Sequence, residues 1–256
     1  MDPGTLIGIT LAFAAIFVSM IMEGGSPGSM FLLPPLILVF GGTIGVAMAG
    51  GLLKDATSLP AAIKKALTTK VTPVDESVQI LVKLAEEARR NGLLALEEMA
   101  RDIEDPFLKK GLELLVDGTD PEDLRDILEA EVQSKKGGDK AAAKLFADMG
   151  GYAPTVGIIG TVLGLVHVLE NLSEPEELGH MIAAAFLATL WGVMSANAIW
   201  LPLANKLKRL TELEVRRMEL LIEGLMSIQS GSNPRVIEQK LLSFLLPSER
   251  PIDKAA

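Results

Sequence analysis

Cysteine is absent from the 256 residues, which excludes a disulfide framework, a thiolate metal site and a cysteine nucleophile. Aromatic residues make up only 4% of the chain, and there are two histidines. Basic residues are in deficit as well. The 24 Lys+Arg stand against 33 Asp+Glu for a formal net charge of −9, a balance that argues against general nucleic-acid binding. Apolar residues are what the chain has in quantity: 49% are hydrophobic and the mean hydropathy is +0.36, although an ordinary 22% are charged. Both can hold only if apolar residues and charges are sorted into separate stretches.

Charge is missing from four runs: Gly4 to Met22 (19 residues), Gly24 to Leu53 (30), Met149 to Leu169 (21) and Met181 to Asn205 (25). An α-helix needs about 20 apolar residues to cross the hydrocarbon core of a bilayer, so each run is long enough. The sequence therefore predicts an all-α integral membrane protein. Four transmembrane helices form two hairpins, and a helical cytoplasmic domain lies between helices 2 and 3. Residues 1–53 make the first hairpin (helices about 4–22 and 31–53) and 54–148 the cytoplasmic domain. The second hairpin is 149–205 (helices about 150–169 and 181–205), followed by a cytoplasmic helical tail over 206–256. The leader Met1-Asp2-Pro3 has no basic residue and Ser19 to Glu23 is a poor cleavage site, so the first run reads as a retained helix rather than a signal peptide.

Every basic residue falls in two segments, 15 from Lys54 to Lys144 and 9 from Lys206 to Lys254. The connections Glu23–Met30 and Glu170–His180 carry acids only. By the positive-inside rule the central domain, the tail and both termini are cytoplasmic, and the short connections lie outside.

Punctuation along the chain supports helices throughout. Gly24 to Ser29 is a tight loop. Thr72 to Glu76 and Asp120-Pro121 are helix starts with early acids or Pro at the first position. Gly137-Gly138 reads as a flexible joint. The apolar stripe Leu207, Leu210, Leu213, Met218, Leu221, Ile222 and Leu225 extends the fourth membrane helix to Gly231, and Val236–Leu245 forms a last helix. Gly41 with Gly45, and Gly160 with Gly164, are small-xxx-small pairs of the kind that let membrane helices pack closely.

No Walker-type loop, no Gly-x-Ser-x-Gly and no His/acid cluster at ligand spacing occurs. No catalytic residue, cofactor or metal site is expected, and the chain does not read as an enzyme. His167 and His180 sit near the outer face as hydrated interfacial residues. Polar residues within a bilayer are expensive and functional by default, and the spans hold no carboxylate. They do hold Thr161 and Thr189, which fall roughly 3 Å and 6 Å outward of the midplane on antiparallel helices. Each hydroxyl can also bond to the carbonyl one turn back, with no function implied. Pro154 and Pro202, toward the cytoplasmic ends of their helices, free the carbonyls of Gly150 and Ala198 and permit a kink or a hinge. In the cytoplasmic part, Arg89, Arg90, Glu97 and Glu98 flank an apolar turn and place charges of both signs on one surface, which on spacing alone reads as a solvated face.

The stretch Ala153-Pro154-Thr155-Val156-Gly157-Ile158-Ile159-Gly160-Thr161-Val162-Leu163-Gly164-Leu165-Val166 resembles the third-helix signature of the flagellar motor stator subunits MotA and PomA, of the MotA/TolQ/ExbB superfamily. Ala88–Glu98, followed by Asp102-Ile103-Glu104-Asp105-Pro106, resembles their cytoplasmic loop, and the likeness covers nearly the whole chain. It implies a subunit of an ion-driven torque generator in the bacterial inner membrane. Five copies would surround two single-span MotB/PomB-type partners, each supplying the aspartate that carries H+ or Na+. By position, Arg89 and Glu97, with Arg90 and Glu98 beside them, match charges that engage the rotor protein FliG. Pro154 and Pro202 match prolines that couple ion passage to movement, and Thr161 and Thr189 match hydroxyls lining the ion path of sodium-type members. An ExbB/TolQ-type energiser of an envelope process is the alternative, although its large loop follows the first helix rather than the second. A non-conducting membrane scaffold is the other.

Overall fold

In a computed structural model, which describes residues 3–69 and 73–245, the chain is helical with no strand among the described residues. The expected C-terminal tail beyond residue 245 and Thr72 of the expected helix start lie outside those residues. Helix α1 is Gly4–Met22 and α2 is Leu33–Ala49. Three further helices are α3 (Leu53–Thr57), α4 (Leu59–Thr68) and α5 (Val74–Asn91). Then come α6 (Leu96–Asp102) and α7 (Pro106–Val116), followed by the long α8 (Pro121–Glu170) and α9 (Pro175–Gln229). Last is α10 (Pro234–Ser243).

Three helices, α1, α8 and α9, are long and apolar enough to cross a membrane. Helix α2 is also apolar but shorter than the 31–53 expected. It stops at Ala49 because Gly50-Gly51 follow, and the next N–H available, that of Leu52, donates instead to the Asp55 carboxylate at 3.3 Å. At 1.5 Å per residue it is about 26 Å long, at the lower limit for a span.

Gly137-Gly138 is not a joint: both residues lie inside the continuous α8. Each glycine costs about 1 kcal/mol relative to alanine, but the flanking Lys, Asp, Glu and Ala are compatible with a helix and carry it through. Helix α9 runs as expected through the leucine stripe and stops before Gly231, which takes φ +70°. Its regular winding is interrupted once, by a π turn at Ala196–Trp200. Pro202 explains the widening. It has no N–H to give and its ring would press on the carbonyl four residues back, so the turn before it loosens. A second π turn occupies Ile37–Gly41 in α2.

By compactness the chain divides into Met1–Lys70 with Asp139–Leu210, and Val71–Gly138 with Thr211–Ala256. The first unit buries Phe146, Met149, Ala153, Ala196, Trp200, Leu203 and Leu207 in one cluster, and Met30, Val39, Ala188, Trp191 and Met194 in another. The few aromatics are concentrated here. Phe13, Phe17, Phe31, Trp191, Phe40, Trp200 and Phe146 form an unbroken series of ring contacts at centroid distances of 5.5–6.4 Å. Trp191 also donates its buried Nε1–H to the Met30 carbonyl at 2.7 Å, tying the first loop to α9. The outer faces of this unit stay apolar and open: Leu6, Ile7, Leu11, Ile158, Ile159, Val162, Leu163 and Phe186 are all more than half exposed, the surface expected of helices that meet lipid.

The second unit has a soluble-type leucine core. Leu81, Leu84, Leu96, Leu112, Leu124, Leu128, Leu220, Leu221 and Leu225 are fully buried. Two glycines let the helices close on it, since a Cβ at Gly111 would strike Leu225 and one at Gly224 would strike Leu81, each at 2.4 Å. Asp105 caps α7, accepting from the N–H groups of Phe107 and Leu108, and also pairs with Arg217 of α9. Glu223 sits between Lys240 and Arg125. The hydrogen bond from Lys240 is the main reason its carboxyl is held below the ordinary glutamate range.

Candidate functional site

Within the first unit, the centre of interest is set by two glycines. A Cβ at Gly157 of α8 would lie 2.7 Å from the Ala188 carbonyl oxygen and 3.1 Å from the Thr189 Cα, and one at Gly192 of α9 would lie 2.6 Å from the Ala153 carbonyl oxygen. The two helices therefore cross backbone against backbone, a contact that only glycine permits. Gly160 and Gly164 continue the same seam against Ala188 and Ala185. By contrast, Gly41 and Gly45 have nothing within 4 Å of a Cβ, and it is Gly42 between them that meets α8, at Val156.

This close crossing brings Thr161 and Thr189 together. Their hydroxyl oxygens are 2.5 Å apart. Thr161 can donate to the Ala185 carbonyl at 2.9 Å or to Gly157 at 3.3 Å, and Thr189 reaches the Gly157 carbonyl at 3.3 Å. Of these, only the Thr161–Gly157 bond is the one-turn-back type. Both other carbonyl contacts run across the helix pair, so the hydroxyls form a bridge rather than two separate back-bonds. Four oxygens thus face one another in an apolar setting. A hydroxyl has one proton and two lone pairs, and such an oxygen set offers acceptors of the kind a hard cation or a hydrated proton takes. Among the described residues no group of three or more His, Asp or Glu is placed to hold a metal ion.

Pro154 lies inside α8 without breaking it, and Pro202 lies two residues past the π turn of α9. The two sites are close in space. Gly150, whose carbonyl Pro154 leaves without a helical partner, packs against Leu201 beside Pro202, so closely that a Cβ added to it would lie 2.5 Å from the leucine side chain. Thr155 donates its hydroxyl to the Tyr152 carbonyl at 2.7 Å in this turn. His167 and His180 line a largely apolar cavity of about 470 Å³ with Leu32, Pro35, Leu163 and Met181, and both histidines are exposed. His167 Nδ1 lies 3.3 Å from the Asn171 amide nitrogen.

In the second unit, Arg89 and Arg90 end α5, and Glu97 and Glu98 open α6. Gly92 makes the corner between them with φ +85°, a conformation other residues adopt only with strain, and a 3₁₀ turn at Leu93–Ala95 completes it. All four charges are exposed. Glu97 accepts from Arg101 at 3.1 Å on its own helix, whereas Arg89, Arg90 and Glu98 have no ion-pair partner among the described residues. Leu96 beneath them is fully buried, while Leu94 at the tip is 74% exposed. The corner is therefore a fixed frame that presents free charge.

The sequence reading placed the threonines at similar depth but missed what joins them. The glycines that matter are Gly157 and Gly192, and the spacing Gly157, Gly160, Gly164, a stripe on one helix face, was the available signal. It also missed the two π turns and the Asp105–Arg217 pair, the latter because its partners are far apart in sequence.

Comparison with known proteins places the chain among relatives of defined kind. The model of the MotA/TolQ/ExbB proton channel family matches residues 99–220. The chain is 39% identical over 251 residues to Motility protein A of Bacillus subtilis (strain 168), covering 98% of this chain and 93% of that one. The C. jejuni MotAB structure superposes with a TM-score of 0.92 at 31% identity, covering 99% of this chain and 100% of that one. The flagellar MotAB stator complex from Bacillus subtilis gives 0.88 at 39% identity, with 96% and 97% covered.

Proposed function

The chain belongs to the MotA/PomA family of flagellar motor stator subunits within the MotA/TolQ/ExbB proton channel family, and from that membership we propose how its residues share the work. It is the stator subunit that forms an ion channel with a MotB-type partner. The observation that carries this reading is the near full-length match to chains of MotAB complexes. The sequence adds a physical reason for the partner. No span of this chain holds a carboxylate, so the ion-carrying acid must come from another chain.

In the proposed arrangement the chain sits in the bacterial inner membrane as four spans with both termini in the cytoplasm, and five copies surround two single-span partners. Residues 54–148 and 206–256 form the cytoplasmic part. The Thr161–Thr189 bridge, with the Gly157 and Ala185 carbonyls, lines the path of H+ or Na+ and hands the ion to the partner's aspartate. Pro154 and Pro202, joined through the Gly150–Leu201 contact, are where α8 and α9 flex as that aspartate is charged and neutralised. Arg89, Arg90, Glu97 and Glu98 engage FliG. One charge crossing the membrane releases roughly 2.3 kcal/mol per 100 mV, so a few ions per step suffice to move exposed, weakly held charge pairs past one another.

The test is co-expression with a MotB-type partner in a cell lacking its own stator. Swimming is restored and ion conductance appears, and both vanish when the partner's membrane aspartate is replaced by asparagine. Conductance that survives the replacement sinks the proposal. Swimming speed measured against external sodium, with and without a sodium-channel blocker, assigns the ion.

A further inference from the structure

Two polar groups of the first unit are buried and left bare. Thr43 of α2 is 0% exposed and Trp200 of α9 is 8% exposed. Neither the Thr43 hydroxyl nor the Trp200 Nε1–H has a hydrogen-bond partner among the described residues. Both depart from what their own kind do elsewhere in the chain. Thr68 donates to the Lys64 carbonyl one turn back at 2.7 Å, and Trp191 donates its Nε1–H to the Met30 carbonyl at 2.7 Å. A buried donor without a partner carries its full desolvation penalty, so such groups are nearly always satisfied.

The two irregular turns of the spans bring these groups to one place. Trp200 is the last residue of the π turn Ala196–Trp200, and Thr43 follows the π turn Ile37–Gly41 by two residues. Phe40, within the α2 turn, holds its ring 6.1 Å from that of Trp200. Thr43 lies one turn past Phe40 and one turn before Ala47, on the same helix face. Phe40 and Ala47 both pack in the buried cluster that contains Trp200. The Thr43 hydroxyl is therefore enclosed on the side of α2 that meets Trp200. An acceptor is at hand as well, because Pro202 has no N–H to return to the buried Ala198 carbonyl of the same turn.

The chemistry narrows the occupant to one. An indole N–H only donates, and a hydroxyl has one proton and two lone pairs, so the occupant must accept. A cation cannot rest against an N–H. An anion would be buried without a counter-charge, since the four apolar runs hold no Lys or Arg. A neutral molecule that accepts twice, donates onward and fits a close-packed interior is water. Ordered waters and π turns are also the means by which membrane helices re-satisfy backbone freed by proline.

We propose that one buried water bridges the Thr43 hydroxyl and the Trp200 Nε1–H and donates to a carbonyl of the α9 π turn, giving it the three bonds usual for a buried water. Trp200 lies 11 residues past Thr189, roughly 16 Å along the helix, so this site is distinct from the threonine bridge. The water also gives the turn before Pro202 an exchangeable partner. That consequence rests on the reading of Pro202 as a hinge; the water itself does not.

The experiment uses the full-length chain with its MotB-type partner. In a cryo-electron microscopy map of the complex that resolves waters, density is expected within 3.5 Å of both Thr43 Oγ1 and Trp200 Nε1, and protein atoms alone at that point overturn the proposal. Equilibrium unfolding in detergent then compares the parent, Thr43→Val, Trp200→Phe and the double variant. Thr43→Val keeps the shape and removes the hydroxyl, so it should lower the folding equilibrium constant about fivefold, and by less when Trp200→Phe is already present. Thr43→Val as stable as the parent, or losing equally in both backgrounds, overturns the bridge. If Trp200→Phe fails to fold, the map and Thr43→Val alone decide. Swimming in a strain lacking its own stator isolates the hinge: Thr43→Val should slow it at an unchanged amount of complex in the membrane, and parental speed removes the water from the hinge.

Discussion

The crossing of α8 and α9 at Gly157 and Gly192 and the corner at Arg89–Glu98 hold the residues to which the proposed function assigns work, and they are built in opposite ways. At the crossing, polar atoms satisfy one another: two hydroxyls 2.5 Å apart share two carbonyls under backbone contact. At the corner the charges are exposed, and three of the four have no ion-pair partner among the described residues. A hydroxyl at the crossing cannot be changed without disturbing the packing that holds it. A charge at the corner can be changed with little effect on the fold, because Gly92 and buried Leu96 set the frame beneath it. The proposed ion path and the proposed rotor contact are in this sense tied to the fold to different degrees.

The largest effect on stability is expected from Gly157→Ala. Its new Cβ would meet the Ala188 carbonyl and the Thr189 Cα, backbone atoms that cannot swing aside. Separation of the helices should cost about 1–3 kcal/mol, lower the midpoint of thermal unfolding of the purified complex and abolish swimming. Gly157→Ala at wild-type stability would mean that the crossing is looser than its geometry and that the two regions do not differ.

A smaller effect is expected from the hydroxyl bridge. Thr161→Val and Thr189→Val each leave the other hydroxyl with a carbonyl partner, so the double variant should be less destabilised than the sum of the two. Coupling energies for hydrogen bonds between membrane helices run about 0.6 kcal/mol on average and reach about 1.7. Equilibrium unfolding of the four proteins in detergent measures the coupling. Exact additivity would show that the two hydroxyls act independently.

How much of this was legible in the sequence differs between the same two regions. Three of the charge-free runs were legible as helices long and apolar enough to cross a membrane, because lipid demands such runs, and the start at Asp120-Pro121 because helix starts obey local rules. The continuation of α9 beyond its apolar run, to Gln229, was traced by its leucine stripe alone. The boundaries failed where a local signal competed with its surroundings: Gly137-Gly138 reads as a joint in isolation, yet α8 carries through it. The threonines were found as types of residue at a depth, but their pairing depends on which face of each helix meets the other. That in turn depends on Gly157 and Gly192, 35 positions apart in the chain. At the corner the charges were evident from their spacing.

The smallest effect on stability, and the clearest on function, is expected from the double reversal Arg89→Glu with Glu97→Arg. Arg89 has no ion pair to lose among the described residues. Glu97 gives up a bond to Arg101 between side chains 65% and 74% exposed, and an exposed pair is worth about 0–1 kcal/mol. The new arginine then faces Arg101 one turn away, a like-charge contact costing roughly 0.2–0.5 kcal/mol. Both terms are small because water and salt screen them. The unfolding midpoint should therefore stay within about 2–4 °C of the parent, the protein should accumulate in the membrane normally, and swimming should be lost. Swimming at the parental rate would remove the corner from the torque role. A large fall in the midpoint would show instead that these charges hold the fold, and the contrast between a site inseparable from its packing and a site standing free of it would no longer hold.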